Sequence, residues 1–481
     1  MIPEIMFGIS RKNLVALLLP FLILLLQRRI TAATQHDWEI ELSETTYRVG
    51  AGDTAEIVYH ARFRALTAHG RDVVSRIHLP YISAFHTLEI QSIKTLKKDG
   101  SVVQGDPASA IDAPLSDDTL TQGFSDSRVK TILPPNVETG DSVEYEAVQH
   151  IHKWMKPGEF WFSHHLTTGV PVHSETVVLD LPADRKVAFY ESETIHGKTE
   201  MANGRRIETW TTTNPEASKS HVAALLPLFA VSSILSWDAF GEWITTLNHE
   251  ASAPSPEIMA LAAKLTVGKT RDEERVAALY TYVATKVRYV SISFGLGRLQ
   301  PHSAAVVLHN AYGDCKDQTA LLNALLTALG FKAHPVLTTP GVGVQLRDVP
   351  QPEQFNHEFV AVESKSGTIF LDTSMGPVSP QVLQPGVRGR NALMVAGKTA
   401  VIEIPLNSPV QQRLAMAVRG KLNANGEYEG SARVEFRGRM ESRIRRVFLD
   451  ATDTEKENIL RGMVSGNLRD ASVREVSHSD P

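Results

Sequence analysis

Cysteine is nearly absent from this 481-residue chain, in which Cys315 is the only one. A single thiol cannot form an internal disulfide, so a disulfide-stapled scaffold is excluded and stability must come from ordinary hydrophobic cores. The chain has no basic stripe, and its formal net charge of −5 argues against nucleic-acid binding. No cluster has the spacing of metal ligands, since the adjacent His164 and His165 would face opposite ways on a strand. We therefore expect no metal or other cofactor.

Cys315 lies at the start of a predicted helix. Apolar residues follow it at Leu321, Leu322, Leu325 and Leu326, which is the spacing of an amphipathic helix. The first turn of a helix carries unpaired N–H groups and the positive end of the macrodipole, so it favours an anion such as a thiolate. The pattern therefore predicts a nucleophile, while the alternative is a small buried hydrophobic residue.

A cysteine nucleophile needs a base and a group that orients the base, and one downstream hairpin offers both. Residues 355–362 and 368–373 read as two strands joined by a short turn. If the turn has an even number of residues, Val362 pairs with Ile369 and His357 becomes a diagonal neighbour of Asp372 on one face. An odd turn would place Asp372 on the opposite face, so the prediction depends on register.

Three segments resemble the Cys, His and Asp motifs of the transglutaminase-like superfamily, whose core is papain-like: GDCKDQTALLNALLTALGF, FNHEFVAV and IFLDTS. The resemblance covers about residues 250–400 and extends to a bacterial exported subgroup with a β-rich domain in front. It implies that Cys315 is the nucleophile, His357 the base and Asp372 its orienting partner. By analogy with papain-like sites, Gln300 is a candidate oxyanion donor, although a plain loop glutamine is the alternative. Calcium dependence and glutamine specificity do not transfer, since the matching motifs are missing.

The chain is expected to have two or three domains of α+β class. Apolar residues alternate from Ile57 to Ala65 and from Val143 to Ala147, which predicts an N-terminal β-sandwich over residues 36–245. The papain-like transglutaminase core follows at 250–405. Alternation before and after Asn425-Gly426 predicts a hairpin and a β-rich C-terminal domain over 410–481. The pattern does not decide whether this domain is small or incomplete.

The first 33 residues have the pattern of an export signal. Arg11 and Lys12 precede an apolar run from Leu14 to Leu26, which is short for a membrane span, and Ala33 could end a cleavage site. Arg28 and Arg29 are unusual just before a cleavage site, so the alternative is that the segment is not cleaved and anchors the protein. Membrane association is expected only in that case. The pattern predicts a periplasmic or secreted protein.

The function expected from these features is acyl transfer or hydrolysis at a peptide or amide bond, with a peptide or protein as substrate. Water as acceptor would make the protein a peptidase or amidase, and an amine would make it a transglutaminase. The alternative from a different class is a non-catalytic binding or assembly module of the cell envelope.

Overall fold

The computed structural model describes residues 4–9, 36–115, 123–217, 226–406, 413–467 and 472–477, apart from positions 51, 53, 366, 381 and 385. The apolar run and cleavage site of the predicted export signal lie outside these residues. No helix in the described ranges is long and apolar enough to span a membrane. The first strand, β1 (Glu4–Ile9), belongs to a sheet formed mainly by the C-terminal region.

The N-terminal region is built on one large sheet. Its elements are β2 (Trp38–Val49), β3 (Ala55–Ala65), α1 (Ala68–Val74), β4 (Ile77–Ile82), β5 (His86–Leu96), β6 (Val102–Gln104), β7 (Ile111–Pro114), β8 (Gly123–Ser125), β9 (Ser127–Ile132), β10 (Ser142–Ile151), β11 (Trp161–His164), β12 (Val172–Pro182), β13 (Ala188–Glu191), β14 (Lys198–Ala202), β15 (Arg205–Asn214) and β16 (Phe229–Ser232). The large sheet has eight strands in the order β14-β15-β12-β2-β3-β10-β5-β6. Two three-stranded sheets, β4-β9-β7 and β11-β16-β13, form a second layer.

Both small sheets cover the same face of the large sheet. The odd-numbered side chains of β3 point into this core, with Ile57 near the β11-β16-β13 sheet and Ala61 near the β4-β9-β7 sheet. The two segments predicted from alternation are direct neighbours, since Ala61 pairs with Tyr145. The opposite face is polar, because strands with period two place every second residue there. The two layers form the expected sandwich.

The central region combines helices with a second sheet. Its elements are α2 (Trp237–His249), α3 (Pro256–Leu265), α4 (Asp272–Lys286), β17 (Arg288–Tyr289), β18 (Ser291–Ser293), α5 (Ala304–Asn310), β19 (Tyr312–Gly313), α6 (Cys315–Ala328), β20 (Ala333–Thr338), β21 (His357–Ser364), β22 (Gly367–Leu371), β23 (Asn391–Met394) and β24 (Ala400–Glu403). Five strands form a sheet in the order β22-β21-β20-β23-β24. The expected α+β class is confirmed.

Helix α6 lies at the centre of this region. The sequence predicts an amphipathic helix, but every residue from Lys316 to Leu326 is buried. Helices α3, α4 and α5 and strand β21 all contact it, so both its apolar and its polar sides are covered. The Cys315 end is therefore held rigidly from several directions.

The C-terminal region contains β25 (Arg413–Leu422), β26 (Tyr428–Arg437), α7 (Arg439–Asp450), α8 (Asp453–Asn467) and β27 (Ser472–Ser477). The predicted hairpin is confirmed, because Leu422 pairs with Tyr428 and Gly426 has a φ of 85°. Its β25 side chains do not form the expected apolar core, since Leu414 and Met416 are exposed. Helix α7 was not predicted, and it packs on β26 instead.

One hydrophobic core joins the N-terminal and central regions. Phe240 of α2 and Phe355 have ring centroids 5.6 Å apart, and both belong to the cluster that contains Trp161 and Val231 of the small sheet. Apolar burial is the main stabilising term in folding, so a core that crosses a region boundary couples the stability of both sides. We infer that these two regions fold as a unit.

This coupling predicts the effect of truncating a shared core residue. Phe240→Ala should lower the free energy of unfolding by about 3–5 kcal/mol, and both regions should still unfold in one transition. Urea denaturation followed by tryptophan fluorescence and circular dichroism tests this. The control is Phe448→Ala in the separate C-terminal cluster, which should leave the tryptophan transition unchanged, since no tryptophan lies beyond Trp243. Two resolved tryptophan transitions in the Phe240 variant would contradict the shared core.

Candidate active site

Cys315 is the first residue of α6, as the sequence predicts. Asp314 is the N-cap, and its carboxylate accepts a hydrogen bond from the backbone N–H of Asp317 at 3.2 Å. Asp317 returns the interaction to the N–H of Asp314 at 3.2 Å, which completes a capping box. Gly313 leaves room for this arrangement, because a Cβ there would lie 2.6 Å from the Cβ of Asp317. The backbone on both sides of Cys315 is therefore fixed.

Tyr289 is a neighbour of Cys315 that sequence reasoning missed. Its strand β17 pairs in parallel with β19, which places Tyr289 opposite Gly313. The Tyr289 and Cys315 side chains are hydrogen-bonded, and burial together with the nearby Cys315 raises the pKa of the tyrosine. Tyr289 therefore stays protonated and can donate a hydrogen bond. The sequence shows only a short segment, Arg288-Tyr289-Val290. The pairing of β17 with β19 is what places Tyr289 beside Cys315.

His357 and Asp372 meet as the hairpin register predicts. Val362 pairs with Ile369, and Ser364 pairs with Gly367 across a turn of even length. His357 Nε2 lies 2.9 Å from Asp372 Oδ2. The side chains are almost fully buried, with relative exposures of 7% for His357 and 1% for Asp372. The two residues therefore form a dry, fixed pair.

Asp372 is held as an anion by several donors. Its Oδ1 accepts hydrogen bonds from the backbone N–H and the hydroxyl of Ser374 at 3.1 and 2.6 Å, and Oδ2 accepts one from the backbone N–H of Gln384 at 3.4 Å. Burial alone would raise the pKa of the Asp372 carboxyl, but the charge of His357 and these hydrogen bonds outweigh it and lower the pKa.

The imidazole of His357 connects the carboxylate to the thiol. Burial alone would lower the pKa of His357, but Asp372 and the hydrogen bond with Cys315 reverse this effect and raise the pKa well above its ordinary value. Because Nε2 faces Asp372, the other ring nitrogen, Nδ1, remains for Cys315. The structure thus brings Cys315, His357 and Asp372 into one chain of contacts.

A cavity of about 440 Å³ opens at this chain of contacts. Cys315 and His357 line it from the central region, and Tyr47, Trp154 and Trp161 line it from the N-terminal sandwich. The volume is in the range of small-molecule and peptide side-chain pockets. A molecule that reaches Cys315 through this cavity therefore contacts both regions.

Residues 259–347 match the model of the transglutaminase-like superfamily, and residues 52–219 match that of a domain of unknown function, DUF3857. The chain carries a transglutaminase-like domain. The matched span includes Cys315 and ends before His357 and Asp372, so the positions of these two residues rest on the geometry described above. A search of the curated proteins finds no significant match.

Solved structures agree with the architecture around the transglutaminase-like domain. A candidate protease from Parabacteroides distasonis ATCC 8503 matches with a TM-score of 0.63 and 15% identity, over 83% of this chain and 93% of that chain. At this identity the likeness shows a shared fold. A candidate cysteine protease from Cytophaga hutchinsonii covers 80% of this chain and 99% of its own at 11% identity, but its TM-score of 0.21 supports no argument.

Gln300 is exposed, and it is not among the side chains that line the cavity, which instead include its neighbours Arg298 and Leu299. The backbone N–H of Gln300 donates to the carbonyl of Leu296 at the end of a 3-10 turn. The candidate role of Gln300 stays a prediction, while Tyr289 is a polar side chain that contacts Cys315.

His164 and His165 form no metal site in the described ranges, where no cluster of three potential metal ligands occurs. His164 Nδ1 lies 3.0 Å from the Tyr47 hydroxyl, and its Nε2 lies 3.6 Å from Glu175. His165 follows the end of β11 and is exposed. His164 contributes to packing and polar contacts in the sandwich.

Two more ionisable groups of the transglutaminase-like domain lie beside Cys315. Burial alone would lower the pKa of Lys316, but the contact with Asp314 outweighs burial and raises the pKa. The Lys316 ammonium also donates a hydrogen bond to the carbonyl of Ile292 at 3.1 Å. Burial raises the pKa of Glu358 to about 8, although Lys316 partly opposes the shift. One carboxyl oxygen of Glu358 has no hydrogen-bond partner among the described residues.

Glu358 predicts a pH-dependent loss of stability. Because its pKa rises from 4.5 in the unfolded chain to about 8 in the folded state, the folded protein holds a proton that the unfolded chain loses, and stability falls as pH increases through this window. Glu358→Gln removes that penalty, so it should raise Tm by about 3 °C or more near pH 8.5 and have little effect near pH 5.

Thermal unfolding at the two pH values checks this prediction. The matched control is Glu363→Gln on the same strand, where the exposed carboxylate pairs with His334 at 3.0 Å and its pKa is lowered. That variant should show no gain at high pH. An equal Tm for wild type and Glu358→Gln near pH 8.5 would contradict the buried, raised-pKa assignment.

Proposed function

We propose that this protein is a cysteine enzyme that transfers the acyl group of a peptide or amide through a thioester on Cys315. The observation that carries the proposal is the double contact of one imidazole, in which His357 bonds Asp372 through Nε2 and also hydrogen-bonds Cys315. In this proposal Cys315 is the nucleophile, His357 is the base and Asp372 is the carboxylate that orients the base.

In the first half-reaction the thiolate of Cys315 bonds to the carbonyl carbon, and the C=O π electrons move to the oxygen. The backbone N–H of Cys315, at a helix N-terminus, and the Tyr289 hydroxyl are the donors proposed for that oxyanion. The tetrahedral intermediate then breaks its C–N bond, and the protonated His357 gives its proton to the leaving amine. The products are a thioester and a neutral imidazole.

In the second half-reaction the neutral imidazole of His357 takes a proton from the acceptor, which attacks the thioester carbon. The C–S bond breaks, and the proton remains on His357 beside the regenerated thiolate. Asp372 stabilises the imidazolium at both ends of the cycle, since its pKa is lowered and it stays charged. We propose water as the preferred acceptor and a primary amine as the alternative. The protein would meet its substrate in the periplasm or outside the cell.

The proposed roles predict graded losses of activity. Cys315→Ala should abolish turnover, His357→Ala should reduce it by about 10²–10⁴-fold, and Asp372→Asn should be milder, because it disturbs the orientation and charge of the imidazole without removing it. The assay offers a mixed peptide library, with and without a primary amine, and identifies products by mass. Water-derived cleavage indicates a peptidase, and an amine adduct indicates a transglutaminase.

The chain supplies a matched control for these variants. His334 on the neighbouring strand β20 pairs with Glu363 at 3.0 Å, which is a histidine–carboxylate pair outside the cavity. His334→Ala should therefore retain full activity. Equal product patterns from wild type and folded Cys315→Ala would reject the enzyme and leave a non-catalytic binding or assembly module.

The thiolate can be tested without any substrate. The raised pKa of His357 keeps the imidazolium charged near pH 6, and the proposed mechanism requires this cation beside a reactive Cys315. Iodoacetamide should alkylate the wild type faster than a model thiol at this pH, and the label reports one residue because Cys315 is the only cysteine. Asp372→Asn should slow the labelling. A folded protein that labels more slowly than the model thiol near pH 6 would support a buried, inert cysteine.

A further inference from the structure

Glu353 is a carboxylate at the wall of an inner cavity, and it has no counter-ion among the described residues. It lies in a 3-10 turn, Pro352–Gln354, four residues before His357, and it borders the cavity that contains Cys315. The residue is exposed and lines the cavity, so a molecule that enters the cavity can reach it. Trp161 donates a hydrogen bond to it, and no Lys or Arg among the described residues pairs with it. A charge in such a place is costly unless a partner arrives.

Aromatic side chains form much of the wall of the cavity that Glu353 borders. Tyr47, Trp154, Trp161, Phe162 and Phe355 line the same cavity. The Trp154 ring centroid lies 5.3 Å from those of both Trp161 and Phe162, so these rings form a continuous wall. Aromatic faces attract cations through their quadrupole, and a carboxylate adds a full opposite charge. Together they match the chemistry of an ammonium group.

The cations that line the cavity do not satisfy Glu353. Arg298 pairs with Asp126 at 2.6 Å, and Lys316 pairs with Asp314. Lys153 is exposed, with its ammonium 5.8 Å from the centroid of the Phe85 ring. Burial raises the pKa of Glu353 to about 7, so above neutral pH the site holds an anion that a bound cation would stabilise.

We propose that Glu353 and the aromatic wall of Trp161, Trp154 and Phe162 form a subsite for a primary ammonium group of the substrate. The ammonium comes from a lysine-like side chain or from a free α-amino group, two sources with the same recognition chemistry. The subsite gives the N-terminal sandwich a role, because Trp161 lies within the matched DUF3857 span. Its relation to catalysis rests on the acyl transfer proposed for Cys315, whereas binding itself does not.

The geometry links this subsite to the proposed base. Gln351 Nε2 donates to Ser163 Oγ at 2.7 Å, which fastens the start of the 351–357 segment to strand β11 of the sandwich. Phe355 anchors the middle of the segment in the shared core. The segment that carries both Glu353 and His357 is therefore held in place at Gln351 and at Phe355. The subsite would select substrates whose amine and reacting carbonyl both fit within this one cavity.

Calorimetric titration of the full-length Cys315→Ala protein tests the subsite without turnover. Three probes separate the sources: N-acetyl-lysine N-methylamide, norleucine N-methylamide with a free α-amino group, and uncharged N-acetyl-norleucine N-methylamide. Near pH 8, at least one cationic probe should bind about tenfold or more tightly than the uncharged one. The preferred cationic probe identifies the source. Equal affinity for all three probes would overturn the proposal.

Substitutions in the same background locate the binding. Glu353→Gln keeps the hydrogen-bond acceptor for Trp161 and removes the charge, so the cationic preference should fall by about tenfold while the uncharged probe binds as before. Glu363→Gln, an exposed carboxylate outside the cavity, should keep the preference. If Glu353→Gln lowers the thermal stability, Trp161→Phe, which keeps a ring and loses the N–H, should also weaken the cationic probes. A preference that persists in both variants would overturn the subsite.

The two proposals fail in different ways. Cationic binding that depends on Glu353, with no turnover by wild type, would retain the subsite and reject the enzyme. Turnover that depends on Cys315, with no cationic preference in binding, would reject the subsite and retain the enzyme.

Discussion

The buried contact between His357 and Asp372 is the constraint on which the candidate site depends. Removing two ionisable groups from water is costly, and it is tolerated here because each is paired and the carboxylate receives further hydrogen bonds from Ser374. That pairing requires the register of β21 and β22, and the position of β21 in turn requires its contact with α6. The helix that carries Cys315 and the strand that carries His357 thus support one another. The site is a property of the packed sheet and helix, and no single motif contains it.

The second level of organisation is the core shared by the N-terminal and central regions. Phe240 and Phe355 join Trp161 in one apolar cluster, and the cavity lies beside that cluster with walls from both regions. A sandwich that only accompanied the central region would leave a separable surface between them. Here the sandwich forms part of the cavity wall itself, so its shape limits which molecules can reach the thiol. Polar contacts such as Gln351 with Ser163 fix the relative positions of the two sides.

Local patterns in the sequence predicted those features that depend on local geometry. The even turn between Ser364 and Gly367 and the helix start at Cys315 follow from strand periodicity and helix capping. The sequence did not predict features that arise from contacts between distant segments. Tyr289 reaches Cys315 through a two-strand pairing, and Glu353 meets Trp161 across 192 positions, so no spacing rule connects them. Gln300 is a candidate by analogy alone, and its side chain is not among those that line the cavity. For β25, alternation was read correctly, but alternation alone cannot tell whether a covering layer exists.

The even length of the β21–β22 turn limits how this gene can change. A single inserted codon between positions 364 and 367 would shift one strand by one residue against the other and exchange its two faces, unless a bulge absorbed the extra residue. Asp372 would then point away from His357 and leave an imidazole without its carboxylate. Insertions of two codons would preserve the faces and only lengthen an exposed turn. Length changes at this turn among functional descendants of this chain should therefore favour steps of two, because a change by one residue also requires a bulge to keep Asp372 facing His357.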